Sequence, residues 1–169
     1  MIIYTDIITG DEILSDSFPL KEVDGIVYEC DCAMINLKGP TVDIGANPSA
    51  EEAIEDVDES AQTVNNIVNS FRLQSLGFDK KSYLQYLKGY MKMVKDKMTA
   101  KGISEEDITN FEKKAQIYAK KIIGKFKDYE FYTGESLDPN GMVILLNYRE
   151  DGITPYVTVW KDGLVPTKV

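Results

Sequence analysis

Residues 79–98 read DKKSYLQYLKGYMKMVKDKM and carry the clearest structural pattern in the chain. Their apolar side chains recur at steps of three and four residues, as on one face of an α-helix, and most Lys side chains fall outside that face. Asp79 is predicted to be the N-cap, because a carboxylate there accepts hydrogen bonds from the first N–H groups of a helix. The apolar positions are Tyr83, Leu84, Leu87, Tyr90, Met91, Val94 and Met98. The pattern predicts an amphipathic helix with one face on a core.

A second helix of the same kind is predicted after a short break. Gly102 interrupts the first pattern, and Ser104 with Asp107 is typical of a helix start. The next apolar positions at helical spacing are Ile108, Phe111, Ala115, Tyr118 and Ile122. Two such helices joined by a few residues form an antiparallel hairpin. We therefore predict a helical hairpin over residues 78–127.

The segments on both sides of the hairpin have the composition of strands. They are short runs rich in Ile, Val and Tyr, separated by turns that contain Gly, Asp or Asn. Residues 62–73, QTVNNIVNSFRL, are ambiguous, because Val64 and Ile67 fit helical spacing while the β-branched and Asn content favours a strand. The order of strands, two helices and strands predicts an α+β fold, a mainly antiparallel β core with an inserted helical hairpin. A length of 169 residues suits a single domain over residues 1–169.

Residues 39–63 have no basic side chain and collect acidic ones. The acids are Asp43, Glu51, Glu52, Glu55, Asp56, Asp58 and Glu59. Ser49 with Glu52 could start a short helix, but few apolar side chains follow and like charges repel along it. We predict a flexible acidic loop. Its carboxylates leave two interpretations open, a merely solvated loop and weak calcium binding, because the spacing does not match an EF-hand.

Charge is distributed very unevenly along the chain. The net charge is -9, which argues against general or sequence-specific nucleic-acid binding. Residues 79–127 nevertheless hold 13 Lys against 6 acidic residues, a net of +7. Such a Lys-rich face could simply keep the hairpin soluble, or it could dock an acidic partner. Both interpretations stay open on the charges alone.

The residue types offer little for catalysis. There is no His, which removes the commonest general base and most zinc sites. Cys30 and Cys32 are expected to be small buried residues, with a reactive thiol as the alternative, and no required cofactor is predicted. No signal peptide or membrane span is expected, which favours a cytoplasmic protein.

Four stretches of the chain resemble one known family. Residues 44–52, IGANPSAEE, and residues 131–156, FYTGESLDPNGMVILLNYREDGITPY, resemble the two signature regions of the translationally controlled tumour protein family. Residues 1–16 and 69–92 are similar to that family as well, and the match is closest to its fungal-type members. The resemblance implies a β-rich core with a projecting hairpin and a flexible acidic loop after the GANPS motif. It also implies that residues 64–73 form a strand.

The resemblance further implies a non-enzymatic, cytosolic, partly cytoskeleton-associated adaptor. The family is described as associating with tubulin and microtubules, with translation factors or the ribosome, with calcium, and with a Rheb-class small GTPase. The GTPase-facing positions correspond to Glu12, Leu73 and Glu135. The microtubule-associated region corresponds to the hairpin, where charge points to Lys88, Lys92, Lys95, Lys97, Lys120 and Lys121.

Two alternatives come from other classes of function. The family core resembles methionine sulfoxide reductases, so a thiol-dependent enzyme of that kind is one alternative, although only the Cys30-x-Cys32 pair is present. A simple calcium buffer is the other. Many animal members end in a Cys proposed to join two copies, whereas this chain ends in Val169, so a monomer is expected.

Overall fold

The computed structural model describes residues 1–36 and 63–168. Within these residues the strands are β1 Ile2–Asp6, β2 Glu12–Ser15, β3 Leu20–Val23, β4 Val27–Asp31, β5 Met34–Asn36, β6 Thr63–Asn65, β7 Gln74–Leu76, β8 Glu130–Thr133, β9 Ile144–Tyr148, β10 Pro155–Trp160 and β11 Leu164–Lys168. The α-helices are α1 Asn66–Ser70, α2 Lys80–Ala100 and α3 Glu105–Gly124. Short 3-10 turns at Phe126–Asp128 and Lys161–Gly163 link elements of the second half.

The described strands form three sheets with antiparallel pairing throughout. A six-stranded sheet has the order β3-β4-β10-β9-β8-β7, a three-stranded sheet has the order β11-β1-β2, and β5 pairs with β6. Strand β10 lies near the middle of the large sheet, where Val157 pairs with Cys30 of β4 and with Leu146 of β9. All three of these side chains are buried. The apolar strand segments of the sequence therefore meet in one core.

The predicted helix starts are confirmed by their caps. One Asp79 carboxylate oxygen accepts a hydrogen bond from the Ser82 backbone N–H at 2.7 Å. The Ser104 hydroxyl accepts one from the Asp107 N–H at 3.2 Å. Each cap satisfies one N–H group that the first helical turn leaves without a partner.

Gly102 ends the first helix because of its backbone conformation. Its φ is +81°, a left-handed value that costs a residue with a Cβ more than it costs Gly. In this conformation the Gly102 N–H bonds the Thr99 carbonyl at 3.0 Å and the Ile103 N–H bonds the Met98 carbonyl at 3.1 Å. These bonds satisfy carbonyls at the helix end and reverse the chain into α3.

Aromatic side chains attach the hairpin to the large sheet. The Tyr83 ring of α2 lies 5.3 Å from the Phe131 ring of β8, measured between centroids. The Tyr118 ring of α3 meets the Trp160 ring of β10 edge-on at 5.7 Å. All four residues are buried. The apolar stripes that predicted the helices are therefore the faces that pack on the core, with the exception of Leu84, which is 45% exposed.

Residues 64–73 differ from the expectation, and their interpretation as a strand is wrong. The strand β6 ends at Asn65, and residues 66–70 form the short helix α1. The Asn65 side-chain oxygen accepts hydrogen bonds from the N–H groups of Ile67 and Val68, at 3.0 and 3.1 Å. This cap, with Ile67 fully buried, outweighs the strand preference of the β-branched residues.

The α+β fold class, with its mainly antiparallel strands and its helical hairpin, is confirmed. The flexible acidic loop predicted over residues 39–63 lies outside the described residues, apart from Thr63 in β6.

Candidate partner-binding surfaces

Three of the predicted tubulin-binding lysines form a stripe along α2. Lys88, Lys92 and Lys95 are four and three residues apart, which places them on one side of a helix with 3.6 residues per turn. Lys88 and Lys92 are exposed and make no ion pair within residues 1–36 and 63–168. Lys95 is instead paired with Glu112 of α3, with 2.8 Å between Nζ and Oε1. The stripe therefore offers two uncompensated cations and one that links the helices.

The other three predicted lysines do not extend this stripe. Lys97 is nine residues after Lys88, about 2.5 helical turns, so it lies on the opposite side of α2. On α3, Lys121 is paired with Asp24, with 2.7 Å between Nζ and Oδ2, and lies 5.9 Å from the Tyr118 ring centroid. Lys120 is exposed. The six lysines are thus spread over several faces of the hairpin.

The predicted GTPase-facing residues lie in three segments that contact one another. One Asp11 carboxylate oxygen accepts hydrogen bonds from the Ser136 hydroxyl at 2.6 Å and from the Ser136 N–H at 3.3 Å. These bonds place the start of β2, at Glu12, beside the loop that contains Glu135. We call the surface made by Asp11, Glu12, Arg72, Leu73 and residues 134–136 the Glu12 edge.

The segment that contains Arg72 and Leu73 is linked to the rest of the Glu12 edge by an ion pair. Arg72 Nη1 lies 3.0 Å from Glu135 Oε1, and both side chains are largely exposed. An exposed pair of this kind contributes little stability, roughly 0–1 kcal/mol. Leu73 itself is only 6% exposed, so its side chain supports this surface from the core.

The backbone of the Glu12 edge is held in an unusual conformation. Arg72 has a φ of +52° and Leu137, next to the edge, has a φ of +57°. Such values cost a residue with a side chain roughly 1–3 kcal/mol, and they concentrate at functional positions. They are two of three such residues, other than Gly, in the described part of the chain.

A buried carboxylate anchors this region, and the sequence pattern did not single it out. Asp6 is 3% exposed and accepts hydrogen bonds from the N–H of Met142 at 2.6 Å, the N–H of Ile8 at 2.9 Å and the hydroxyl of Thr9 at 3.2 Å. Burial raises the pKa of the Asp6 carboxyl, while the Met142 N–H bond opposes that rise. Asp6 therefore connects β1 to the loop that precedes β9. Its position within an apolar run gave no sign of this role.

The two cysteines are buried and free, as the sequence analysis expected. Burial raises the pKa of the Cys30 thiol to about 12 and also raises the pKa of Cys32. Because the thiolate is the nucleophile, a raised pKa makes both thiols poor reagents near neutral pH.

Residues 1–36 and 63–168 contain neither a metal-binding cluster nor a membrane-spanning helix. In that part of the chain no three His, Cys, Asp or Glu side chains gather closely enough to hold a metal ion. No helix there is long and apolar enough to cross a membrane. The acidic residues of the predicted calcium-binding loop lie outside this range.

Comparisons with known proteins agree along the whole chain. Residues 1–165 match the family model described as translationally controlled tumour protein. Translationally controlled tumour protein homologues from Neurospora crassa and Saccharomyces cerevisiae are 66% and 58% identical, with full coverage of both chains in each case. These fungal relatives agree with the predicted fungal type.

Solved structures give the same result. The translationally controlled tumour-associated protein of Schizosaccharomyces pombe aligns with a TM-score of 0.82 at 56% identity, with full coverage of both chains. The translationally controlled tumour protein of Caenorhabditis elegans aligns with a TM-score of 0.72 at 33% identity. The alignment covers 100% of this chain and 99% of the C. elegans chain. The chain therefore belongs to the translationally controlled tumour protein family.

Proposed function

We propose that this protein is a non-enzymatic cytoplasmic adaptor that binds acidic partners, tubulin among them, through Lys88 and Lys92 of α2. The observation that carries this proposal is the position of Lys88 and Lys92 four residues apart on one side of α2, both exposed and without an ion pair in residues 1–36 and 63–168. They belong to a segment of net charge +7 in a chain of net charge -9. An acidic partner would be steered to this segment and repelled elsewhere.

Tubulin is proposed because the family is described as associating with tubulin and microtubules, and an acidic partner surface would be complementary to the lysine stripe. Translation factors are further candidates on the basis of family membership. Attraction between exposed charges is screened over about 8–10 Å at 0.1–0.15 M salt, so the proposed contact weakens as salt increases.

Co-sedimentation with polymerised tubulin across a salt series tests the proposal. The test variant is Lys88→Glu with Lys92→Glu, and the matched control is Lys21→Glu with Lys168→Glu, two lysines outside the segment of net charge +7. All four lysines are exposed and make no ion pair in the described residues, and both variants change the net charge equally. We expect salt-sensitive binding that the hairpin variant loses and the control largely keeps. Equal loss in both variants would reduce the effect to net charge, and equal retention would exclude the lysine stripe.

A small GTPase of the Rheb class is proposed as a second partner, at the Glu12 edge. This proposal is supported by the contact between Asp11 and Ser136, which puts Glu12 and the Glu135 loop on one surface. It is also supported by the positive φ values of Arg72 and Leu137. Exposed carboxylates on that surface could compete with the nucleotide phosphates for the metal ion or the basic groups of the GTPase.

Binding of the nucleotide-free GTPase to Glu12→Ala and to Glu130→Ala tests the second role. Both Glu side chains are exposed, and Glu130 lies in β8, outside the Glu12 edge. We expect Glu12→Ala to weaken binding about tenfold, equal to about 1.4 kcal/mol, and Glu130→Ala to leave it unchanged. Equal affinities for both variants and the wild type would remove Glu12 from the interface.

The two alternatives receive less support. A methionine sulfoxide reductase would need a reactive thiolate, whereas burial raises the pKa of both cysteines. Weak calcium binding by the acidic stretch stays a hypothesis, and calorimetry with millimolar calcium tests it directly. No heat of binding there would remove the calcium-buffer alternative.

A further inference from the structure

An apolar groove runs between α2 and α3 beside the lysine stripe. Its volume is about 740 Å³, and its floor is formed by Leu84, Leu87 and Met91 of α2 and by Phe111, Ala115 and Ala119 of α3. The small Ala side chains leave the space between the helices open. Leu84 is 45% exposed. The groove therefore offers apolar surface to a partner in addition to charge.

The two rims of the groove differ in charge. Lys88, Lys92 and Lys95 line the α2 side, whereas Glu112 and Gln116 line the α3 side. Because Glu112 is already paired with Lys95, the uncompensated charge of the rims is that of Lys88 and Lys92. A bound partner would thus place apolar groups on the floor and acidic groups toward α2.

The length of the groove indicates the shape of that partner. The eleven steps from Leu84 to Lys95 correspond to about 16 Å at 1.5 Å per residue. A partner helix of about three turns covers the same length. Apolar side chains at spacings of three, four and seven residues on such a helix would meet the floor in the helix-in-groove mode.

We propose that this groove receives an acidic amphipathic helix of about three turns from a partner protein. The inference rests on the proposed function, because it uses the same lysines, and it adds an apolar anchor to the charge contact. A second copy of this chain is disfavoured as the occupant, because the described helices long enough to fill the groove, α2 and α3, belong to a segment of net charge +7 that the lysines of the rim would repel. A lipid surface is disfavoured because three of the six floor side chains are recessed, with Leu87, Phe111 and Ala115 only 5%, 4% and 5% exposed.

Two labelled synthetic peptides of identical composition test the inference by fluorescence anisotropy. Both contain 14 residues of Leu and Glu, but only one has Leu at helical spacing, and the other is permuted to remove that spacing. We expect the wild-type protein to bind the amphipathic peptide at least about tenfold more tightly, a difference of about 1.4 kcal/mol. Leu84→Ser with Met91→Ser should abolish this preference, and Ile117→Ser should not.

Ile117 is a suitable control because it is 60% exposed on α3 and does not line the groove. Circular dichroism and urea unfolding check that each variant folds. If the double variant does not fold, the single variant Leu84→Ser replaces it in the test. Equal binding of the two peptides, absence of binding, or tighter binding to anionic vesicles that depends on Leu84 would each overturn the inference.

The outcomes for the groove and for tubulin are separable. Equal binding of both peptides, weakened by Lys88→Glu with Lys92→Glu, would leave the charge-based function intact and remove the groove. A helical preference that depends on Leu84, together with unchanged tubulin binding in the lysine variant, would support the groove and reject the tubulin proposal.

Discussion

Replacing Tyr86 with Phe should destabilise the protein, because the Tyr86 hydroxyl bridges two backbone groups of one buried segment. It donates a hydrogen bond to the Gly141 carbonyl at 2.6 Å and accepts one from the Val143 N–H at 2.8 Å. Gly141 and Val143 are both buried. The hydroxyl therefore ties α2 to the segment that leads into β9.

The size of the effect follows from the two partners that lose this hydroxyl. A buried polar group left without a hydrogen bond costs about 1–3 kcal/mol. With two such groups and a small gain from removing the buried hydroxyl itself, we expect Tyr86→Phe to lower the free energy of unfolding by about 2–4 kcal/mol. At a urea dependence of about 2 kcal/mol per molar, the unfolding midpoint should fall by about 1–2 M.

Tyr90 provides a matched control one helical turn later. Its ring stacks on that of Tyr86 with 5.7 Å between centroids. Tyr90 is fully buried, whereas Tyr86 is partly buried. In the described part of the chain, however, its hydroxyl has no hydrogen-bond partner. Tyr90→Phe removes an unsatisfied polar group, so it should leave stability unchanged or raise it by up to about 1 kcal/mol.

Urea unfolding followed by the fluorescence of Trp160 measures both effects. Trp160 is the single Trp of the chain and is 2% exposed, so unfolding exposes it to water. The reasoning is refuted if Tyr86→Phe is as neutral as Tyr90→Phe, or if the two substitutions destabilise the protein equally.

Three further predictions concern buried or closely packed groups. In the native protein at pH 8, Cys30 and Cys32 should react with a thiol reagent more than about 100-fold slower than a free cysteine, because burial raises the pKa of Cys30 to about 12. In urea both should react at an ordinary rate. A rapid reaction of the native protein would contradict this. Asp6→Asn should cost about 1–3 kcal/mol near pH 7 through lost hydrogen bonds. Burial raises the pKa of Asp6 in the folded state, so folding favours its protonated form. The protonated carboxyl therefore stabilises the wild type fully below the unfolded pKa of about 3.9. This stabilisation decreases as pH rises through the folded pKa. Urea unfolding should therefore show a larger cost of Asp6→Asn at pH 4 than at pH 7, and an equal or smaller cost at pH 4 would contradict the assignment. Gly134→Ala should weaken the proposed GTPase binding and also destabilise the protein, because its added Cβ would meet the Cβ and the carboxylate of Asp11 and break the hydrogen bonds of Asp11 with Ser136. Unchanged affinity in a pull-down assay of the folded variant would argue against this edge.

The helical hairpin shows how much of the fold local patterns can predict. Its apolar spacing, its caps at Asp79 and Ser104 and its break at Gly102 all act within a few residues, so each can be recognised from neighbours in the chain. The strand segments were recognisable for the same reason. Residues 66–70 were not, because their helix depends on the Asn65 cap and on the burial of Ile67, and burial is a property of the assembled core.

The candidate surfaces could likewise be predicted only in part from the sequence. Charge composition alone identified the Lys-rich hairpin and the acidic remainder, because charge is a property of each residue type. Only the tertiary structure decided which lysines are compensated, since Asp24 and Glu112 are 97 and 17 residues away from their partners Lys121 and Lys95. The contacts of Asp6 with Met142 and of Asp11 with Ser136 likewise span 136 and 125 residues. The sequence by itself determined the helical hairpin, most strand segments and the charge they carry, because those depend on local spacing and residue type, whereas the short helix α1 was decided by packing. The pairing of charges, the burial of Asp6 and the joining of the Glu12 edge were decided by packing, because only the folded chain brings such distant groups within hydrogen-bond distance.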